Sequence, residues 1–84
     1  MSALSSLPNV GKVLERYLLQ VGIETPEQLQ DIGAEEAFIR IRLRVDSGAC
    51  IHMLYAIQGA IDGIRDTFLP ENTKQKLKNF YKTL

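Results

Sequence analysis

The sequence predicts an all-α domain, a compact bundle of about five short helices. Three observations lead there. Apolar residues recur at helical spacing along most of the chain. Helix start and stop signals punctuate it at short intervals: Gly22, Thr25-Pro26, Gly33, Ser47-Gly48 and Pro70. The one stretch that alternates like a strand, Phe38 to Val45, has no second alternating segment to pair with. With 84 residues, the chain forms a single domain spanning 1–84. At 45% hydrophobic residues it is too apolar for a disordered segment.

The elements follow in order. Leu7-Pro8-Asn9-Val10-Gly11 reads as a turn, since Asn9 and Gly11 tolerate positive φ and Pro8 fixes the entry. The helix behind it places Val10, Val13, Leu14, Tyr17, Leu18 and Val21 on one broad face. Gly22 suits the left-handed position past its end, with Ile23 making the apolar contact that follows. In Thr25-Pro26-Glu27-Gln28, Thr25 caps a second helix, Pro26 takes its first position and Gln28 completes a capping box. This helix turns Leu29 and Ile32 inward and stops at Gly33.

The segment Phe38 to Val45 alternates apolar and basic residues. Yet Ala34, Ala37, Phe38, Ile41 and Val45 fall at i, i+3, i+4, i+7 and i+11, and Glu35 and Glu36 suit a first helical turn. The expectation is therefore helix. Ser47-Gly48 breaks the chain, with Ser47 as the cap of a central helix over Ala49 to Ile64 that is apolar nearly all round. Within it, Ala56, Gly59, Ala60 and Gly63 form a strip of small residues at i, i+3, i+4 and i+7. Two helix-interior glycines cost roughly 1 kcal/mol each against alanine. A backbone packed close against the strip offsets that, either a neighbouring helix of the domain or a second copy in a homodimer. Arg65 to Leu69 leads to Pro70, read as an N1 residue, and to a last helix from Glu71 to about Thr83, with Leu77, Phe80, Tyr81 and Leu84 inward.

Charge is balanced overall and uneven along the chain. Residues 1–39 hold two basic and six acidic residues, a net of −4; residues 40–84 hold eight basic and four acidic ones, a net of +4. A dedicated DNA-binding domain usually carries a net basic footprint, which only the second half supplies. No apolar run approaches the roughly 20 residues of a membrane span, and Met1 to Ser6 lacks the charged and apolar regions of a signal peptide. A single cysteine forms no internal disulfide, and a cytoplasmic setting is expected.

The residues also resemble a known family. The ordered set Leu7-Pro8-Asn9-Val10-Gly11, Val21-Gly22-Ile23 with Thr25, Gly33-Ala34, Leu54 to Gly63 and Leu69-Pro70 is similar to the C-terminal domain of the TfoX/Sxy competence regulators of bacteria. The resemblance covers essentially the whole chain. It implies an all-α fold of the helix-hairpin-helix, SAM-like type. In the two-domain members that domain follows an N-terminal one, in proteins that promote expression of DNA-uptake genes. It implies no catalytic residues and no cofactor.

Two function classes follow. The first is a non-enzymatic regulatory module that binds a protein partner. The second is direct, sequence-independent DNA binding. Helix-hairpin-helix modules hold phosphate through backbone N–H groups at a helix N-terminus. Here Asn9, Gly11 and Lys12 would make that contact, in a turn that resembles the Pro-Asn-Leu-Gly turn in the C-terminal domain of the RNA polymerase α subunit. The opposing reading of the same residues is a helix entry turn. Arg40, Arg44, Arg65, Lys74 and Lys78 would form a basic patch for DNA or an acidic partner; Arg42 points the opposite way from Arg40 and Arg44. Homodimerisation, through the small-residue strip or the oppositely charged halves, is compatible with both classes. Cys50 and His52 stand two apart on a helix and do not face each other, so neither a metal site nor a cysteine nucleophile is expected; both are read as buried or half-buried packing residues. The chain holds no paired carboxylates with a histidine and no glycine-rich phosphate loop before Lys-Ser or Lys-Thr, and is expected not to be an enzyme.

Overall fold

Apolar residues spaced for helices, in segments too short to be stable alone, must find each other to fold. The computed structural model describes residues 3–84 and shows how they do so. Five α-helices and two 3-10 turns follow one another, and no strand occurs among the described residues. The helices are α1 (Lys12–Gln20), α2 (Pro26–Ile32), α3 (Ala34–Arg44), α4 (Ile51–Asp62) and α5 (Glu71–Tyr81). A 3-10 turn, Ala3–Ser6, precedes α1, and another, Asp66–Phe68, joins α4 to α5. The Cα radius of gyration is 11.6 Å, matching the roughly 12 Å of a close-packed chain of this length.

The helix ends are as chemically specific as the sequence suggests. At the end of α1, Ile23 N–H donates to Leu18 O at 2.9 Å and Gly22 N–H to Leu19 O at 3.1 Å. Gly22 has φ +83°, and Ile23 and Leu18 are both fully buried. This is a complete Schellman closure. Before α2, the Thr25 hydroxyl accepts from Gln28 N–H at 3.1 Å. The Gln28 carboxamide reaches back one residue further than a standard capping box, to Glu24 N–H at 2.6 Å.

One residue, Gly33, joins α2 to α3. Its N–H donates to Leu29 O and its carbonyl accepts from Ala37 N–H, so it ends one helix and begins the next. This double role requires φ +85° with ψ 160°, a conformation essentially confined to glycine. The alternating segment is helical, as its longer-range spacing predicts: Ala34, Ala37, Phe38 and Ile41 are buried, and Val45 packs beside them. α3 and α4 form the most extensive helix pair, and α5 and α2 pack on α4.

Several expectations are corrected. Ser47 does not cap α4. The Asp46 carboxylate accepts from Gly48 N–H at 3.0 Å, and Ala49 N–H donates to Asp46 O, so a tight turn occupies this stretch and the helix starts at Ile51 with Cys50 at its cap position. Cys50 and His52 are exposed, not packed, because this first turn lies at the edge of the bundle. Gly63 lies past the end of α4 rather than inside it. Its φ is +76°, and Ile64 N–H donates to Gly59 O at 2.9 Å in a second Schellman closure. Pro70 stands at the cap position of α5, one residue earlier than expected, and α5 ends at Tyr81. Val13 and Leu84, assigned inward, are 52% and 48% exposed. Leu4, from the first 3-10 turn, takes up core space with no exposure at all.

Candidate interaction surfaces and the Asn9 turn

The sequence singles out Asn9-Val10-Gly11 first, and the structure shows what Asn9 does. Its backbone has φ +69°, the one positive φ outside glycine among the described residues. That conformation aims its side chain across the molecule at the end of α4. The carboxamide nitrogen donates to Ile64 O at 3.0 Å and to Ala56 O at 3.3 Å. The carboxamide oxygen accepts from Asp66 N–H at 3.1 Å. One half-buried side chain thus satisfies backbone groups 47 to 57 residues away and fastens the N-terminal turn to the chain reversal between α4 and α5.

This clasp also explains part of the small-residue strip. A Cβ at Gly59 would lie 2.5 Å from Asn9 Nδ2 and 2.7 Å from Ile64 O. Gly59 is glycine because a carboxamide and a returning backbone lie against it. Ala60 is buried in the core, Ala56 is half-buried, and Gly63 serves the helix end. The close approach inside the domain is thus made by the Asn9 side chain and by the chain's own reversal.

Gly11 and Lys12 remain at the surface. Gly11 caps α1 without a side-chain hydrogen bond, and nothing lies within 4 Å of where its Cβ would stand. Lys12 is exposed.

The five basic candidates sit in different settings. Arg40 is held by Glu36 one turn earlier, at 3.0 Å. Arg44, Arg65 and Lys78 are exposed. Lys74 is half-buried and lines a cleft of about 210 Å³ with His52 and Tyr55 of α4 and Asp66 and Thr67 of the second 3-10 turn. His52 meets Tyr55 edge-on at 6.3 Å. Arg42, which points away from the expected patch, has the most specific environment of any arginine here. Its guanidinium lies 5.5 Å from the Tyr81 ring centroid and 5.9 Å from that of Phe38, and it donates to Ala49 O at 3.3 Å. It ties α5, α3 and the α3–α4 loop together. Phe38, four residues before Arg42, is a local hint of this; Tyr81 is not.

A surface that sequence reading does not single out runs along α3 and α5. Near the start of α3, a groove of about 630 Å³ includes Glu35, Glu36, Ile39, Asp62, Lys76 and Phe80 in its lining. Ile39 also borders a second, more apolar groove of about 410 Å³, lined by Arg42, Leu43, Ser47 and Leu84. Leu43 is 78% exposed, four residues after Ile39 and on the side of α3 away from the core. The signal is present in the sequence, because Ile39 and Leu43 are apolar and fall off the buried stripe. No group of three or more His, Cys, Asp or Glu among the described residues is placed to hold a metal. No helix among them is long and apolar enough to cross a membrane.

Comparison with known proteins places this architecture among relatives. The family model described as the TfoX C-terminal domain matches residues 1–81. Protein Sxy of Escherichia coli K12 is 33% identical over 81 residues, covering 96% of this chain and 38% of that protein. DNA transformation protein TfoX of Haemophilus influenzae is 30% identical over 77 residues, covering 92% of this chain and 35% of the relative. The chain therefore spans little more than a third of the length of either. The crystal structure of an uncharacterized protein from Listeria monocytogenes, in a triclinic form, superposes with a TM-score of 0.92 at 50% identity, covering 95% of this chain and 90% of the other.

Proposed function

Because the chain belongs to the TfoX C-terminal domain family, we propose that it is a non-enzymatic regulatory module that binds a protein partner in the control of bacterial competence. Relatives named as Sxy and as a DNA transformation protein support the competence setting. The observation that carries the protein-binding reading is the contrast between two parts of the surface. Asn9, at the apex of the turn suited to phosphate, commits its carboxamide to internal backbone groups. Leu43 and Leu84, by contrast, hold apolar surface out to solvent beside a groove. Exposed apolar surface rimmed by polar groups is what protein contacts use.

Leu43→Glu, introduced into the gene in its bacterial host, tests this. Transformation frequency is expected to fall about tenfold or more, the consequence of losing roughly 1.4 kcal/mol of binding, while the melting temperature of the domain is unchanged. Undiminished transformation would overturn the reading.

A second reading keeps one observation in its favour. Gly11 and Lys12 are open at the N-terminus of α1, where backbone N–H groups and the helix dipole favour an anion. Sequence-independent DNA contact would use them together with exposed Arg44, Arg65 and Lys78.

A further inference from the structure

We propose that the cleft between α4, the second 3-10 turn and α5 binds a small zwitterion, a free α-amino acid. The cleft holds about 210 Å³ and is lined by His52, Tyr55, Asp66, Thr67 and Lys74. Drug-sized ligands occupy roughly 300–1,000 Å³, so its occupant is a small molecule. Every lining side chain carries a polar atom, and Asp66 and Lys74 carry opposite charges. Both are half-buried, whereas the other four lysines of the chain are exposed. Yet the Asp66 carboxylate and the Lys74 ammonium form no ion pair with each other. Among the described residues, neither side chain has a hydrogen-bond or ion-pair partner.

Two opposite charges that share a small cleft and do not meet select a molecule that carries both. A simple anion at Lys74 faces the Asp66 carboxylate, and a simple cation at Asp66 faces the Lys74 ammonium. Like charges set against each other are costly and discriminate between ligands. An α-amino acid satisfies both groups, its carboxylate accepting from Lys74 and its ammonium donating to Asp66. Such charge-assisted hydrogen bonds are roughly twice as strong as neutral ones. The Thr67 hydroxyl and the His52 imidazole supply further hydrogen bonds, and the Tyr55 ring provides a wall for the ligand's side chain. The lining is also held in place by the fold. Asp66 N–H donates to Asn9 Oδ1 at 3.1 Å, and Asp66 O accepts from Leu69 N–H at 3.2 Å. Lys74 N–H donates to Pro70 O at 3.0 Å in the first turn of α5. The Asn9 clasp thus fixes the turn that brings Asp66 and Thr67 to the cleft. None of the lining residues belongs to the groove beside Leu43, so this site stands apart from the protein-binding one.

Amide NMR spectra of the isotope-labelled chain test the proposal. Each of the protein amino acids is added in turn at about 10 mM, above the roughly 1 mM Kd that a ligand of so few atoms reaches. At least one is expected to give saturable shifts centred on His52, Tyr55, Asp66, Thr67 and Lys74. The N-acetyl derivative of that amino acid lacks the ammonium, and its amide lacks the carboxylate. Each is expected to bind at least about tenfold more weakly, the loss of one charge-assisted hydrogen bond. Asp66→Asn and Lys74→Met are expected to weaken binding of the unmodified amino acid by about the same factor, with circular dichroism verifying that both fold. Where a variant does not fold, the derivatives on wild type decide. No saturable shift with any amino acid overturns the proposal. So does a derivative that binds as tightly as its parent, because the cleft is then a site for a simple anion or cation. Shifts centred elsewhere, or binding that both folded variants retain, overturn it too.

Discussion

The carboxamide of Asn9 lies where a side chain on Gly59 would have to be. Nδ2 stands 2.5 Å from the position of a Gly59 Cβ, and Ile64 O stands 2.7 Å from it. The two residues are 50 positions apart, and each accounts for the other. Glycine within α4 leaves room for the carboxamide, and the carboxamide anchors the N-terminal turn to the end of that helix.

Gly59→Ala is therefore expected to destabilise the domain, although alanine is the better helix former. Ile64 is held at its N–H by the Schellman closure and at its carbonyl by Asn9, so that carbonyl has little freedom to retreat. Overpacking of this kind costs about 1–3 kcal/mol, or a fall of roughly 4–8 °C in melting temperature for each kcal/mol. Thermal unfolding followed by circular dichroism measures it. A melting temperature equal to or above wild type would show that the contact is loose.

Asn9→Ala removes three hydrogen bonds and places alanine at φ +69°. A loss of about 2–4 kcal/mol is expected from stranded backbone groups and the left-handed backbone together. Asn9→Gly relieves the second cause and keeps the first, so its melting temperature should fall between those of wild type and Asn9→Ala. A residue kept for phosphate contact would show no such ordering in stability.

Two glycines with similar φ are expected to differ in tolerance. Gly22 at +83° closes a Schellman motif in the ordinary left-handed manner, whereas Gly33 at +85° carries ψ 160°. Gly22→Ala should cost about 1–2 kcal/mol, and Gly33→Ala more, up to roughly 3 kcal/mol. Chemical denaturation of the pair gives the ordering directly, and equal losses would contradict it.

Arg42→Lys should destabilise, and Arg44→Lys should not. The Arg42 guanidinium lies over two rings and bonds the Ala49 carbonyl, a planar task that an ammonium does not reproduce. A loss of about 1–2 kcal/mol at Arg42 against less than about 0.5 kcal/mol at exposed Arg44 is the expected contrast in denaturant midpoints.

These positions show what the sequence discloses and what it withholds. Gly22, Thr25-Pro26 and Gly33 are readable because their signals are local; a helix end needs its partners within about four residues. Phe38 to Val45 reads as helix, and is helix through Arg44, because Ala34, Ala37, Phe38 and Ile41 share a face that alternation does not describe. Gly63 is misplaced by pattern alone because the same small-residue spacing fits a helix interior and a helix end, and only the backbone conformation separates them. Cys50 reads as packed because its apolar neighbours suggest an inward face, yet the turn made by Asp46 delays the helix and leaves Cys50 at an exposed cap. The role of Asn9 depends on Ile64 and Asp66, far away in sequence, and no local pattern announces it; that of Arg42 is hinted at locally only by Phe38, and Tyr81 is distant.

The Asn9 turn is an internal clasp, and the function proposed for this domain is protein contact rather than phosphate contact. Anisotropy of a labelled duplex, titrated with the chain to about 100 µM at low salt, the range where non-specific DNA binders saturate, tests it most directly. No saturable binding is expected from wild type. Binding that falls steeply as salt rises, and is lost in Lys12→Glu, would contradict the claim and place the α1 N-terminus on DNA.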